Sequence, residues 1–436
     1  MNRQLGSSEY IAWLSDKVGS LNFVTVAHVT GSVNEDVLRT ALNLLSQRHP
    51  VLKTRITVKE GKPVFVSENV PEIPLQIKER TSDNFWQEET EKEMNHQFAW
   101  SKGPLVRVVL LKGSPASDIL VTFHHTIGEA ASGMFFMLHL LQLIELITKG
   151  KTPDTQPFPE RPPLEEMLPR SARRIHGLAK TGALIGKQIA SIIFQHPQKL
   201  PRDGDVFAAH RVAHIIHHVL SPEETTALID TCRAESTTVH GAVCTAVLKA
   251  ARARIHSIHP DGPLTISCMS AVNLRKFLEP PLGEEIGFFA SMVITSHTIG
   301  EDTSFWDLAR QVRDNVHQSI EGGDAFVFIS LLDKLLKTTN PDDFMKRATA
   351  FYPAALLVTN VGRLDMLKEY GPLTVDGLHF TLANKAASEH FNTAVTTFNG
   401  KMVINFSYTE PAMSPNHAHE LTDDAMKILK SSLHSQ

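Results

Sequence analysis

The chain has 436 residues, with 43 Lys and Arg against 47 Asp and Glu, a formal net charge of -4, and 42% apolar and 21% charged residues. This is ordinary globular composition, which excludes disordered and fibrous classes, and the slightly acidic balance argues against a dedicated nucleic-acid binder. The length exceeds the ~250–300 residues at which a single core stops growing, so two core units are expected.

The opening MNRQLGSSEYIAWL has no apolar stretch ending in a small-residue cleavage site, so no secretory signal is expected. Asn34 starts a helix whose apolar residues Val37, Leu38, Ala41, Leu42, Leu44 and Leu45 recur near the helical period, and Pro50 forces its exit. VLKTRITV and PVFVSE, split by the turn EGK, read as a hairpin, and Asp83 to Phe98 as a second helix. LVRVVLL and DILVTFHH are apolar strands separated by GSPAS. SGMFFMLHLLQLIELI follows as a helix apolar nearly all round, hence buried. No run reads as approaching the ~18 apolar residues of a membrane span, so a soluble chain is expected.

Residues 149–170 are rich in Pro and charge and read as a boundary or exposed connector. Residues 171–196 read as a helix with Arg173, Arg174, Lys180 and Lys187 beside Ile185, Ile189, Ile192, Ile193 and Phe194. Such a basic amphipathic helix suits either packing on its own domain or peripheral membrane contact. AHRVAHIIHHVL then reads as a strand, SPEETTALIDTCRAE as a helix capped by Ser221 with Pro222 in its first turn, and TTVHGAVCTAVLKAARAR as another helix. LTISCMSAVNLR, EIGFFASMVITSH, AALLVTNVG, LHFTLAN and NTAVTTFNGKMVINFSYT read as strands, the last with the hairpin signal Asn399-Gly400. The expected division is a first lobe over 1–170, a connector with the amphipathic helix over 171–206, and a second lobe over 207–436.

The segment that carries chemistry is VTFHHTIGEAASG, where an apolar strand runs into His124 and His125 and Glu129 follows amid small residues. Adjacent side chains on an extended segment point to opposite faces, so one His can face a cavity while the other packs into the frame. A neutral imidazole, with an ordinary pKa near ~6.5, suits a general base at neutral pH. The second His cluster, HIIHH (214–218) with His210, has no Cys or carboxylate at ligand spacing, so it reads as a hydrated sheet face and no metal is expected. Three scattered cysteines, Cys232, Cys244 and Cys268, form no C-x-x-C, which argues against disulfides and for a cytoplasmic location. Cys244 reads as a core residue, with no activating base near it in sequence. The Glu284-Glu285 pair reads as a solvated turn.

HHTIGEA resembles the His-His-x-x-x-Asp-Gly signature of condensation domains, chloramphenicol acetyltransferases, plant acyltransferases and polyketide-associated acyltransferases of lipids and alcohols. RHPVLKTRI (48–56), FAWSKGPLVRVVLL (98–111), SAVNLRKFLEPPLGEEIGFFAS (270–291), VTNVGRL (358–364) and LGSSEY near the start resemble further segments of that family, in the right order. The plant Asp-Phe-Gly-Trp-Gly motif is absent.

The resemblance implies an α/β (α+β) fold: two chloramphenicol-acetyltransferase-like lobes, each a mixed or antiparallel sheet with helices, in a V around a central tunnel. It implies His125 as the base, His124 as its frame-packing neighbour, and a structural pair between Glu129 and Arg275. Glu129 stands where the family has Asp, Ala130 where it has Gly, and Ser291 at an Asn position. A positive φ at Ala130 would therefore be strained. Asn360 is the candidate oxyanion donor. The implied reaction needs no cofactor. Acyl-CoA or a phosphopantetheinyl acyl carrier protein donates the acyl group and a small-molecule alcohol accepts it, in a cytoplasmic monomer. An amine acceptor with two carrier proteins, and a carrier-binding relative without turnover, are the alternatives.

Overall fold

The computed structural model describes residues 1–170, 186, 196–258, 262–338, 340, 355–383, 385–386 and 391–433. The expected basic helix over 171–196 falls, but for residues 186 and 196, outside the described residues.

The first half runs β1 (Asn2–Gln4), α1 (Ser7–Val18), β2 (Asn22–Thr30), α2 (Glu35–Arg48), β3 (Arg55–Lys59), β4 (Lys62–Val66), β5 (Leu75–Glu79), α3 (Phe85–Asn95), β6 (Val106–Lys112), β7 (Ala116–His124), α4 (Ala130–Thr148) and the short α5 (Leu164–Met167). Asn34 caps α2 as expected, its side chain accepting from the Asp36 and Val37 amides. The 149–170 connector is not a free tether. Leu164, Met167 and Leu168 are buried in the second core, and Arg161 pairs with Glu285 at 2.6 Å.

The second half runs β8 (Val212–Leu220), α6 (Pro222–Ala234), α7 (Val239–His256), β9 (Leu264–Asn273), β10 (Ala290–Ile299), α8 (Phe305–Gly322), α9 (Asp324–Thr338), β11 (Leu356–Arg363), β12 (Glu369–Tyr370), β13 (Leu373–Leu382), β14 (Phe391–Phe398), β15 (Lys401–Glu410) and α10 (Pro415–Ser432). Ser221 and Glu224 close a capping box on α6, at 3.1 and 2.9 Å. Asn399 and Gly400, at φ 48° and 78°, make the expected hairpin turn between β14 and β15.

Two six-stranded mixed sheets result, ordered β12-β13-β2-β7-β6-β5 and β10-β9-β11-β14-β15-β8, with a small sheet β1-β4-β3 beside the first. The expected lobe boundary at 207 does not hold for the whole second half, because β12 and β13 complete the first sheet. β13 pairs antiparallel with β2 from Thr374↔Thr30 to Leu382↔Phe23. The reason is burial. Leu373, Val375, Leu378 and Phe380 all lie in the interior, and the open edge of β2 supplies the backbone partners such a strand needs. The first lobe therefore contains 369–382, and the chain crosses between lobes twice more than the motif order implies.

Helix α4 covers the first sheet. It is long and apolar enough to cross a membrane by length and composition, contrary to the expectation that no run is. Here it is a core helix, with Met134, Phe136, Met137, Leu140, Leu141 and Ile144 buried. Its Phe136 meets Phe123 of β7 edge-on at 5.2 Å, and Phe123 stacks on Phe23 of β2 at 4.8 Å. The close approach depends on Gly133. A Cβ there would lie 2.3 Å from the Thr25 Oγ1 and 3.0 Å from Phe23.

Thr25 is fully buried and stiff at χ1, so Gly133→Ala is expected to lower stability by about 1–3 kcal/mol, with part of the loss recovered by adding Thr25→Ala. Urea unfolding monitored by circular dichroism checks this. An unchanged midpoint for the single variant contradicts the packing described.

Candidate active site

The motif sits where β7 ends. His124 is its last residue, His125–Ile127 form one 3-10 turn, and Glu129 caps α4. Strand alternation sends the two imidazoles to different surroundings, as expected.

His124 is fully buried. Its Nδ1 accepts from the Thr126 amide at 3.2 Å and lies 2.9 Å from the Thr126 hydroxyl. An Nδ1 that accepts places the ring proton on Nε2, which faces Asp16 Oδ2 of α1 at 3.3 Å. Asp16 is itself buried. The Thr126 contacts thus orient the ring next to the proposed base, and α1, which no sequence motif announced, sets a carboxylate beside it.

His125 is partly accessible, with its ring between Phe23 and Phe288 at centroid distances of 5.3 and 5.1 Å. Its main-chain amide donates to the Leu21 carbonyl at 3.3 Å. The Nδ1 is buried without a hydrogen bond of good geometry. Burial lowers the pKa of His125 below the ordinary 6.5, offset in part by its own carbonyl, the Gly128 backbone and the Glu129 carboxylate. Among the described residues no hydroxyl or thiol hydrogen bonds to its ring, so no nucleophile is paired with it.

Glu129 is committed elsewhere. One carboxylate oxygen accepts from the Ala131 amide at 2.6 Å, capping α4. The other accepts from the Arg275 Nη1 and, at 3.2 Å, from the Ser132 hydroxyl. Arg275 follows the end of β9 and is 3% exposed. Its Nη2 donates to Ser132 Oγ and the Glu285 carbonyl, both at 2.9 Å, and its guanidinium lies 5.3 and 5.0 Å from the rings of Phe135 and Phe289. The extra methylene of Glu thus reaches Arg275 and caps the helix at once. Ala130 opens α4 and has no positive φ, so the strain considered for it does not arise.

Ser132 completes this node and was not marked by the sequence reading. Its Oγ lies 2.8 Å from the Gly287 carbonyl and 3.1 Å from the Gly287 amide. One turn and two turns further along α4, Phe135 and His139 face the same segment. His139 Nε2 reaches Glu284 at 2.7 Å, and its Nδ1 meets His49 Nε2 at 2.9 Å. Of the Glu284-Glu285 pair, read as a solvated turn, Glu284 is exposed as expected, while Glu285 is clamped and only 7% exposed. The 284–289 segment that carries Phe288 onto His125 is therefore fixed by α4. Phe288 also lines a cleft with His49, Phe158, Arg161, Ile286 and Phe289, which adjoins the node but does not include His125.

Asn360, the candidate oxyanion donor, lies on β11 at a register shift against β14. Its Oδ1 accepts from the Gly362 amide at 2.8 Å, and no hydrogen bond to His125 occurs among the described residues. Ser291, at the family's Asn position, donates to the Ala325 carbonyl at 2.7 Å.

The HIIHH strand is not simply a hydrated face. His214 meets Glu91 of α3 at 3.0 Å and stacks on Tyr408, and His217 packs on Trp86 of the first lobe. Asn95 of α3 binds the backbone of Ala213 through both ends of its amide, at 2.8 Å each, so β8 is a lobe junction. Cys244 is buried, as expected of a core residue. His240, one helical turn earlier, does lie 3.4 Å from its Sγ, a base the sequence reading passed over. Burial pushes the thiol well up and His240 down to about 4, so the pair stays neutral and unreactive.

Two family models match the chain: the condensation domain over residues 10–163, and the C-terminus of phthiocerol/phthiodiolone dimycocerosyl transferase over residues 209–408. A nonribosomal peptide synthetase of Curvularia clavata is 23% identical over 436 residues, 97% of this chain, and the chain spans 3% of that synthetase's length. Trichothecene 15-O-acetyltransferase from Fusarium sporotrichioides shares the fold with a TM-score of 0.76 at 10% identity, over 98% of this chain and 95% of its own. Polyketide synthase associated protein 5 from Mycobacterium tuberculosis does so with 0.69 at 15% identity, over 100% and 98%.

Removing the Arg275 side chain leaves the buried Glu129 without its partner. Arg275→Ala is expected to destabilise the chain by about 3–5 kcal/mol. Denaturant unfolding checks this, and wild-type stability in the variant contradicts the pairing.

Proposed function

Because the chain belongs to the condensation-domain and acyltransferase superfamily, we propose that it moves an acyl group from a thioester donor to a hydroxyl acceptor, making an ester with His125 as general base. The observation that carries this reading is the division of labour between His125 and Glu129. The acid is consumed by Arg275 and the helix cap. The imidazole is left neutral, partly accessible and unpaired with any side-chain nucleophile.

With no Ser or Cys hydrogen-bonded to His125 among the described residues, transfer is direct. Its free ring nitrogen takes the proton of the acceptor hydroxyl as that oxygen attacks the thioester carbonyl. The tetrahedral intermediate then expels the thiolate, which receives the same proton. General-base assistance contributes about 10²–10⁴-fold, and holding both substrates in line supplies much of the rest. The thioester is coenzyme A or a phosphopantetheinyl carrier protein, which the reaction consumes as substrate. The transferase model over the second half and the likeness to an acetyltransferase that acts on oxygen support the ester product. The condensation model over the first half supports a second reading, amide formation with an amine acceptor. The reading without turnover loses its motive, since Glu129 performs the structural work expected of Asp.

A thiol-release assay tests the proposal, with acyl-coenzyme A and acyl-carrier donors against alcohols and amines. Acceptor-dependent release is expected, reduced by about 10²–10⁴-fold in His125→Ala. Release preferred with amines favours the condensation reading, and equal release by both proteins removes His125 from the mechanism.

The pH dependence follows from burial. A pKa below the ordinary 6.5 keeps the ring neutral, and able to accept a proton, under mildly acidic conditions. The acid limb of kcat/KM is therefore expected below pH 6.5 and absent from the residual activity of His125→Ala. An acid limb above that value contradicts the burial argument.

A further inference from the structure

The lobe junction holds a second polar system that acyl transfer does not use. His28 on β2, His379 on β13 and Trp86 on α3 come from the first lobe, and His217 on β8 and Asn405 on β15 from the second. Trp86 lies edge-on to the three imidazoles, with centroids 5.1 Å from His28 and 4.9 Å from both His217 and His379. One hydrogen-bonded chain joins these groups. His28 Nδ1 is 2.7 Å from Asp118, and its Nε2 is 3.0 Å from His379 Nε2. His379 Nδ1 is 3.0 Å from Asn405 Nδ2, and Asn405 Oδ1 is 2.7 Å from His217 Nδ1.

The direction of the chain is fixed by one backbone group. Asn405 Nδ2 also donates to the Phe380 carbonyl at 2.7 Å, and a carbonyl can only accept. The amide nitrogen therefore faces His379, whose Nδ1 must accept. His379 then carries its proton on Nε2 and donates to His28, and His28 holds its proton on Nδ1 and donates to Asp118. At the other end His217 donates to Asn405. The chain is complete in this single set of neutral tautomers. A further proton on His379 Nδ1 sets two donors face to face across a buried contact with Asn405. Turning the Asn405 amide to relieve this strips the Phe380 carbonyl of its donor.

We propose that this chain is a pH-sensitive tie between the two lobes, closed while His379 is neutral and released when acid adds a proton to it. The inference goes beyond acyl transfer and does not rest on it. Burial, with His28 and His217 adding to it, holds His379 well below 6.5, and burial above all holds His217 at about 4. These groups bind fewer protons in the closed form than when released. The tie is therefore intact above pH 6.5 and weakens as pH falls below it.

The charged groups around the chain do not cancel this. Asp118 of β7 faces His28 and is also held by Arg80 at 2.9 Å, which in turn pairs with Asp83. His218 on β8 lowers His217 further. Trp86 and Asn405 carry no charge. The separate contact between His214 and Glu91 strengthens on protonation, since His214 is raised by that carboxylate, and so acts in the opposite sense. The His49–His139 pair is also neutral and shares the sign of the tie.

The test places spin labels on Arg39→Cys of α2 and Asp424→Cys of α10, both exposed, while the three native cysteines are buried. Interlobe distances are read by double electron–electron resonance from about pH 8 to about pH 5, with far-UV circular dichroism alongside. A longer-distance population is expected to grow below pH 6.5 with the dichroism unchanged. His379→Gln can donate to His28 and accept from Asn405 without titrating, so it is expected to move the midpoint down by about one pH unit or more. His217→Gln serves as a second variant, with a shift in the same direction. A distance distribution that does not change while the fold is intact overturns the proposal. So does a midpoint unmoved in both variants, or a distance change that coincides with loss of dichroism.

Discussion

The structure turns on one buried ion pair. Glu129 begins the helix that roofs the first sheet, and Arg275 follows a central strand of the second, so their contact ties the His125 turn to the opposite lobe. A buried pair of this kind is poor evidence of added stability, because removing two charges from water costs about as much as their attraction returns. Its value is registry. Arg275 spends its donors on Glu129, Ser132 and the Glu285 carbonyl, and with the Ser132 contacts to Gly287 these hold the 284–289 segment against α4. That placement brings Phe288 against His125. The environment of the base is thus set from the second lobe, through a carboxylate that never needs to exchange a proton with it.

Neutral imidazole recurs across the junction. His125, His139, His217 and His379 all sit below their ordinary range, chiefly because burial disfavours the cation. His139 and His379 are linked ring to ring with a second histidine, a geometry open only to rings that both donate and accept. His125 differs in having no side-chain hydrogen bond to its ring among the described residues, and a ring nitrogen not committed to another side chain is what a proton acceptor requires. The same residue type therefore serves as fastening where its nitrogens are occupied and as a base where one is left free.

Much of this was legible in the sequence. The His-His segment, Glu129 and Arg275 could be assigned from the motif resemblance, and most strands and capped helices from periodicity and end signals such as Asn34, Ser221 and Asn399-Gly400. Helix α1 and strand β2 were not marked. β2 is covered on both faces and shows no clean alternation, and the Asp16 contact with His124 joins residues far apart in sequence. The exchange of β13 into the first sheet was equally hidden, since a strand apolar on both faces suits the centre of either sheet. Ser132 and the His49–His139 pair carry no local pattern either, because their roles arise only when α2, α4 and the 284–289 segment meet. Asn360 shows the converse. Its motif is plain, and what the structure adds is local: its carbonyl oxygen holds the turn at Gly362.

The claim that the lobes fix the base through Glu129 and Arg275 is tested most directly by a double-mutant cycle, with Glu129→Gln, Arg275→Met and the pair measured for both unfolding free energy and acceptor-dependent thiol release. The account predicts strong coupling in both readouts, at the upper end of the roughly 0.5–3 kcal/mol range for contacting residues, with the double variant less impaired than either single change would sum to. Additive effects on stability and on rate would contradict it, because two residues that do not depend on one another cannot be the link between His125 and the second lobe.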